Sequence, residues 1–209
     1  MPNPAQPLWR CLHPSPLGDL LLLVNSSHVL GVWFADQSAI PRWALEAPLA
    51  SQTPPPASAA ALLQRLGQQL DEYFAGQRQR FDLPLDWSHG SAFQQAVWAA
   101  LARLEPGQRC SYGALAAAIG RPAAARAVGG ALGRNPLGIV LPCHRVLGHA
   151  GRLTGYTGGL ERKQQLLALE ARWLAAAPAC ARRPTANPPA RAQHKPSRLA
   201  RMRSCSLRW

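Results

Sequence analysis

At 209 residues and 22.5 kDa, with 47% apolar residues, the chain can bury one large core or two small ones. A formal net charge of +13 points to a polyanionic partner, but it is uneven: residues 1–170 hold all ten Asp and Glu against fourteen Arg and Lys, while residues 171–209 hold nine basic residues and no acid. Five cysteines without a framework of short spacings exclude a disulfide scaffold, the first residues carry no secretion signal, and Leu20–Val24 is too short to span a membrane, so a cytoplasmic protein is expected.

In chain order, residues 17–24 and 29–34 read as two strands joined by the polar turn Asn25-Ser26-Ser27. Residues 47–58, rich in Pro, Ala and Ser, form a loop, after which Ser58 is expected to cap a helix marked by Leu62, Leu66, Leu70 and Phe74 and ended by Gly76. Residues 1–86 therefore predict a small α/β scaffold with no chemical constellation. Cys11, His13 and His28 match no zinc finger or ribbon spacing, and no metal is expected there.

A second unit, residues 87–171, opens with Ser91-Ala92-Phe93-Gln94 in capping-box form. Phe93, Val97, Trp98, Leu101 and Leu104 then line one helical face until Pro106-Gly107. Ser111 caps a helix that stops at Gly120, and Pro122 starts another over residues 123–132; the pair reads as a helix-turn-helix. In this second helix Arg126 is the one long side chain among small ones, and Gly129-Gly130 weaken it by roughly 2 kcal/mol relative to alanine. Two readings account for that: close packing against a neighbouring element, or a slim helix lying in a nucleic-acid groove with Arg126 projecting.

Asn135-Pro136 marks a turn, and Ile139-Val140-Leu141 reads as the end of a buried strand that Pro142 stops, presenting Cys143 and His144. A thiol needs a neighbouring base or positive charge to become a nucleophile at neutral pH, which His144 and Arg145 are placed to supply. A nucleophile this close to a DNA-reading helix stands where an extruded nucleotide would arrive.

Taken together, Ser111-Tyr112, the stretch from Ala125 through Arg126, Gly129 and Gly130 to Ala131, Asn135-Pro136, Pro142-Cys143-His144-Arg145-Val146 and Gly155-Tyr156-Thr157-Gly158-Gly159-Leu160 resemble the O6-alkylguanine-DNA alkyltransferases. The resemblance covers about residues 86–170, with fainter likeness in Ser15-Pro16-Leu17-Gly18. It implies an α+β fold: a ribonuclease H-like N-terminal unit followed by a mostly helical C-terminal domain with the helix-turn-helix. It also implies irreversible alkyl transfer from guanine O6 to the protein's own cysteine, without a cofactor, by a monomer acting on double-stranded DNA; O4-alkylthymine is a further substrate to consider. By the same resemblance Cys143 is the acceptor, His144 the base acting through a water, and Glu170 the acid that orients it. Arg126 fills the gap left by the flipped base, Tyr112 presses the adjoining phosphate and assists the leaving guanine, and Asn135 is the hinge beside Cys143. Tyr156 and Thr157 belong to a loop closing over the base, and Ala125, Gly129 and Val146 complete the contacts to DNA and substrate.

The chain departs from the family pattern in places. The zinc-binding positions of some relatives are not filled, Gln164 and Gln165 stand where many members have an acid and Trp, and Gly138 stands where some have Pro. Residues 172–209, with no counterpart in the usual core, predict a disordered tail able to add salt-sensitive DNA affinity. Two other readings of Cys143-His144 are a hydrolase, which would turn over and need an oxyanion hole, and a DNA-binding regulator in which Cys143 is structural.

Overall fold

The computed structural model describes residues 7–176. An antiparallel sheet comes first, with β1 (Trp9–His13), β2 (Leu20–Val24) and β3 (Val29–Phe34) side by side in that order. The continuous apolar run of β2 arises because both of its faces are covered. Leu20, Leu22 and Val24 face the main core, while Leu21 and Leu23 pack with Leu30, Trp33, Ala44 and Ala47 on the other side. The expected turn between β2 and β3 is held by Asn25, whose Oδ1 accepts from the Ser27 and His28 N–H groups. Strand β1 escapes sequence periodicity because it lies at the edge, with Leu12 exposed and only Trp9 buried.

Helix α1 (Arg42–Leu45) covers the second face, and α2 (Ala57–Phe74) covers the first with Leu62, Leu63, Leu66, Leu70 and Tyr73. Ser58 is not the cap of α2. The helix begins two residues earlier than that cap would give, with Pro56 in the cap position and no side-chain bond; the ring-fixed φ of −60° already suits the entry. Gly76, at φ +78°, ends the chain's helical course as expected.

Beyond residue 86 the chain becomes helical. At the start of α3 (Ala92–Leu101) the capping box forms: Ser91 Oγ accepts from the Gln94 N–H and Gln94 Oε1 from the Ser91 N–H. The helix ends before the expected Pro106-Gly107, because Leu104 N–H tightens back onto Leu101 O. A two-residue strand, β4 (Cys110–Ser111), pairs in parallel with β5 (Val146–Leu147), and Ser111 Oγ caps α4 (Tyr112–Ala118) through the Ala114 N–H. After a 3₁₀ turn at Pro122–Ala124, α5 (Ala125–Leu132) completes the helix-turn-helix, anchored underneath by Trp98 Nε1 donating to Ala131 O at 3.0 Å.

The last described element, α6 (Leu160–Ala176), buries Lys163, Leu166, Leu167, Glu170 and Trp173, a stripe at helical spacing. It runs past the expected onset of the tail at residue 172, because Trp173 packs edge-on against Tyr73 with ring centroids 4.8 Å apart. The rest of the basic tail lies outside the described residues. Among those residues no helix is long and apolar enough to cross a membrane.

Candidate functional site

The segment leading to Cys143 is docked on the free edge of β3. Val32 N–H donates to Pro136 O and Gly138 N–H donates back to Val32 O, both at 2.8 Å. This explains the glycine at 138: proline would lack that N–H, and any Cβ there would stand 3.0 Å from the Val32 carbonyl oxygen. The strand expected at residues 139–141 does not form. The backbone instead makes a tight turn with Ile139 at φ +70°, a costly conformation for a β-branched residue, held by Val140 N–H to Gly138 O at 2.8 Å and Leu141 N–H to Leu137 O at 2.7 Å. Pro142 (φ −80°, ψ 63°) adds a second turn, with Cys143 N–H donating to Leu141 O, and a single 3₁₀ turn at Cys143–Arg145 follows. Asn135 ties the coil together: its Oδ1 accepts from the Leu137 N–H at 3.1 Å, and its Nδ2 donates to Leu141 O at 2.9 Å and to Cys143 Sγ at 3.3 Å.

The residue after Cys143 opens a buried polar relay. His144 Nε2 and Glu170 Oε1 are 2.8 Å apart, with the two side chains 0% and 1% exposed. Arg145 does not support the thiol as the sequence suggested. It turns the other way, giving Nη2 to Glu170 Oε1 at 2.7 Å and Nε to Oε2 at 3.0 Å, and its Nη1 to Leu104 O. Tyr73, from α2, gives its hydroxyl to Glu170 Oε1 at 3.0 Å. Burial works to raise the Glu170 carboxyl, but the hydrogen bonds and charges of His144 and Arg145 outweigh it and hold the group at about 2. Burial lowers His144 below its ordinary value despite Glu170, which keeps the ring neutral and able to accept a proton. Burial pushes the Cys143 thiol up, against the downward pull of the Asn135 bond and the Lys163 charge. The resting group is thus a protected thiol beside a neutral imidazole.

These directions set an acid limit to stability. A carboxyl held at about 2 when folded, against an ordinary 4.5, contributes above pH 4.5, and the contribution is lost as pH falls toward 2. His144, also depressed, adds a loss of the same sign as pH drops below its ordinary value of 6.5. Urea midpoints are expected to be level near neutrality and to decline with acidification, steepest below pH 4.5; Glu170 alone accounts for about 3 kcal/mol. A curve flat to pH 3 would contradict the relay.

Cys143 forms part of the wall of a cleft of about 610 Å³, which Tyr112, Ala125, Arg126, Gly129, Tyr156 and Thr157 also line. The structure thus brings together all but four of the expected site residues at one surface opening, with Arg126 exposed at the head of α5. His144, Glu170 and Asn135 stand behind it. Val146 does not reach the cleft: it is buried in β5, and its carbonyl accepts from Lys163. Tyr112 spans the opening, its hydroxyl donating to Thr154 O at 3.1 Å.

Sequence reasoning missed Tyr73 and Lys163. Lys163 is fully buried and donates to Val146 O, Thr154 O and Gly155 O at 2.6, 2.7 and 3.3 Å, matching the three donors of an ammonium group. Its place in the buried stripe of α6 was the available signal. Burial lowers its affinity for the proton while the Cys143 charge raises it, so ammonium and thiolate support one another. Among the described residues no cluster of three or more His, Cys, Asp or Glu is placed to hold a metal; His13 Nε2 lies 2.8 Å from Asp71 Oδ1 instead.

Two family models match the chain: the DNA-binding domain of 6-O-methylguanine DNA methyltransferase over residues 92–172, and its ribonuclease-like domain over residues 9–87. A methylated-DNA–protein-cysteine methyltransferase of Mycobacterium tuberculosis is 43% identical over 159 residues, 75% of this chain and 88% of that protein. One from Mycolicibacterium paratuberculosis is 58% identical over 105 residues, a match spanning 50% of this chain and 63% of that relative. The fold is similar to that of Mycobacterium tuberculosis OGT solved in complex with DNA, with TM-score 0.65 and 41% identity, covering 82% of this chain and 95% of the other.

Proposed function

The chain belongs to the 6-O-methylguanine DNA methyltransferase family, and from that premise we propose that it repairs O6-alkylguanine in duplex DNA by moving the alkyl group onto its own Cys143, once per molecule. The carrying observation is the position of Cys143 in the wall of a cleft that Arg126 also lines, with the next residue, His144, buried and bonded to Glu170.

In this reading α5 enters the groove and Arg126 takes the place of the flipped guanine in the base stack. His144 receives the Cys143 proton through a water. The thiolate attacks the sp³ carbon on O6 in line with the leaving oxygen; the S–C bond forms as the C–O bond breaks, and the bonding pair departs with guanine, which takes up a proton on its ring. Asn135 holds the sulfur, Tyr112 stands where that proton and the neighbouring phosphate are handled, and the Tyr156-Thr157 loop, with Ala125 and Gly129 opposite, flanks the base. The thioether left on Cys143 is not open to hydrolysis, so the chain is consumed. Residues 1–86 act as scaffold and residues 87–171 carry DNA and chemistry. Cytoplasmic residence accords with the free Cys11, Cys110 and Cys143.

The test is intact and peptide mass after mixing the full chain with excess duplex carrying one O6-methylguanine. The expected result is a gain of one methyl, on Cys143, and no second event. Unchanged mass with DNA bound would support a regulator instead, and turnover beyond one equivalent a hydrolase.

A further inference from the structure

We propose that Tyr73, on α2 in the N-terminal scaffold, is a positioning residue for alkyl transfer: its hydroxyl, with Arg145, holds Glu170 so that His144 keeps its proton on Nε2 and leaves Nδ1 bare to receive the proton of Cys143 through a water. The inference rests on the reading of Cys143 as acceptor and extends the machinery to an element outside the DNA-binding domain.

An ionised carboxylate can only accept, so each group around Glu170 must donate. Oε1 receives His144 Nε2 at 2.8 Å, Tyr73 Oη at 3.0 Å and Arg145 Nη2 at 2.7 Å, while Oε2 receives Arg145 Nε at 3.0 Å. Nε2 is therefore the protonated nitrogen, and Nδ1, buried, makes no hydrogen bond to protein. Packing alone does not explain a tyrosine at position 73. Its ring sits among Trp173, Phe81 and Phe74 at centroid distances of 4.8, 5.5 and 5.5 Å, an apolar cage that phenylalanine would fill equally. The hydroxyl adds the bond to Glu170. Burial above all, and then the Glu170 charge, keep this phenol un-ionised, so it remains a donor at any working pH.

The charged and titratable groups facing His144 are Glu170 and Lys163 from α6 and Cys143 and Arg145 from its own turn; Tyr73 acts from α2 through Glu170. Withdrawing the Tyr73 hydroxyl leaves more of the Glu170 charge to act on His144, which then holds a second proton to higher pH. A stronger donor at position 73 has the opposite effect.

The experiment is the single-turnover rate of methyl transfer from an O6-methylguanine duplex, followed from about pH 5 to about pH 9, for the full chain, for Tyr73→Phe and for the chain with 3-fluorotyrosine at position 73. In Tyr73→Phe the acid limb is expected to move up by roughly half to one pH unit, so that the deficit against wild type widens as pH falls. With 3-fluorotyrosine, a stronger donor of nearly the same shape, it moves down, which tests the inference even if Tyr73→Phe does not fold. A role in packing alone would lower the melting temperature without moving the limb; coincident limbs in the folded proteins overturn the inference while leaving the alkyltransferase reading intact. Absence of transfer by wild type overturns that reading, and this inference with it.

Discussion

Glu170→Gln is expected to slow methyl transfer by roughly 10²–10⁴-fold and to destabilise the fold by about 3–5 kcal/mol. The two losses have different origins. Gln keeps the length of the side chain and one acceptor oxygen, but it cannot balance Arg145, which is 5% exposed and loses its only carboxylate partner among the described residues. An unpaired buried cation is the main stability cost. In the proposed reaction the rate falls because a neutral amide no longer favours the imidazolium that would form when His144 takes the Cys143 proton. Adding Arg145→Met to Glu170→Gln separates these causes. Unfolding in urea should show stability partly restored, since the stranded charge is gone, while rapid-quench kinetics should show the rate still depressed. If both recover together, Glu170 is a structural counterion and has no part in the transfer.

The parts of this site legible in the sequence were those encoded locally. Ser91 and Ser111 announce their helices because a cap is a contact over three residues, and Asn135, Pro142, Cys143 and His144 lie close enough in the chain for their turn to be read as a unit. Arg126 was visible as one long side chain on a helix of small ones. The geometry around Ile139 was hidden because three apolar residues look like a strand. Only the docking of Gly138 on Val32, more than a hundred residues away in sequence, forces the turn. Tyr73 was read into no site, since its partner Glu170 is 97 residues distant. Arg145 was assigned to the wrong neighbour for the converse reason: proximity in sequence suggested Cys143, whereas the 3₁₀ turn points adjacent side chains in different directions.

Lys163→Met is the second large effect, expected to lower the transfer rate at neutral pH by roughly 30-fold and stability by about 2–4 kcal/mol. In sequence Lys163 follows Glu161 and Arg162 and looks like part of a solvated helix face, but the register of α6 turns it inward with Leu166, Leu167 and Glu170. Its ammonium spends all three protons on the carbonyls of Val146, Thr154 and Gly155, linking the strand after Cys143 to the loop on the other side of the cleft. None of those acceptors neutralises the charge. Lys163 therefore stabilises the charge that appears when Cys143 ionises, pulling the thiol down against the upward push of burial. Methionine matches the length and apolar stem but takes the ammonium donor from the buried Val146 carbonyl and breaks the bonds to the Thr154 and Gly155 carbonyls, which sets the stability cost. Thiol ionisation decides between the electrostatic and structural contributions. Iodoacetamide reactivity against pH should show the Cys143 profile displaced to higher pH in Lys163→Met, with the transfer rate recovering as pH is raised. A rate that stays low at all pH with an unmoved thiol profile would mean that Lys163 only holds the loop.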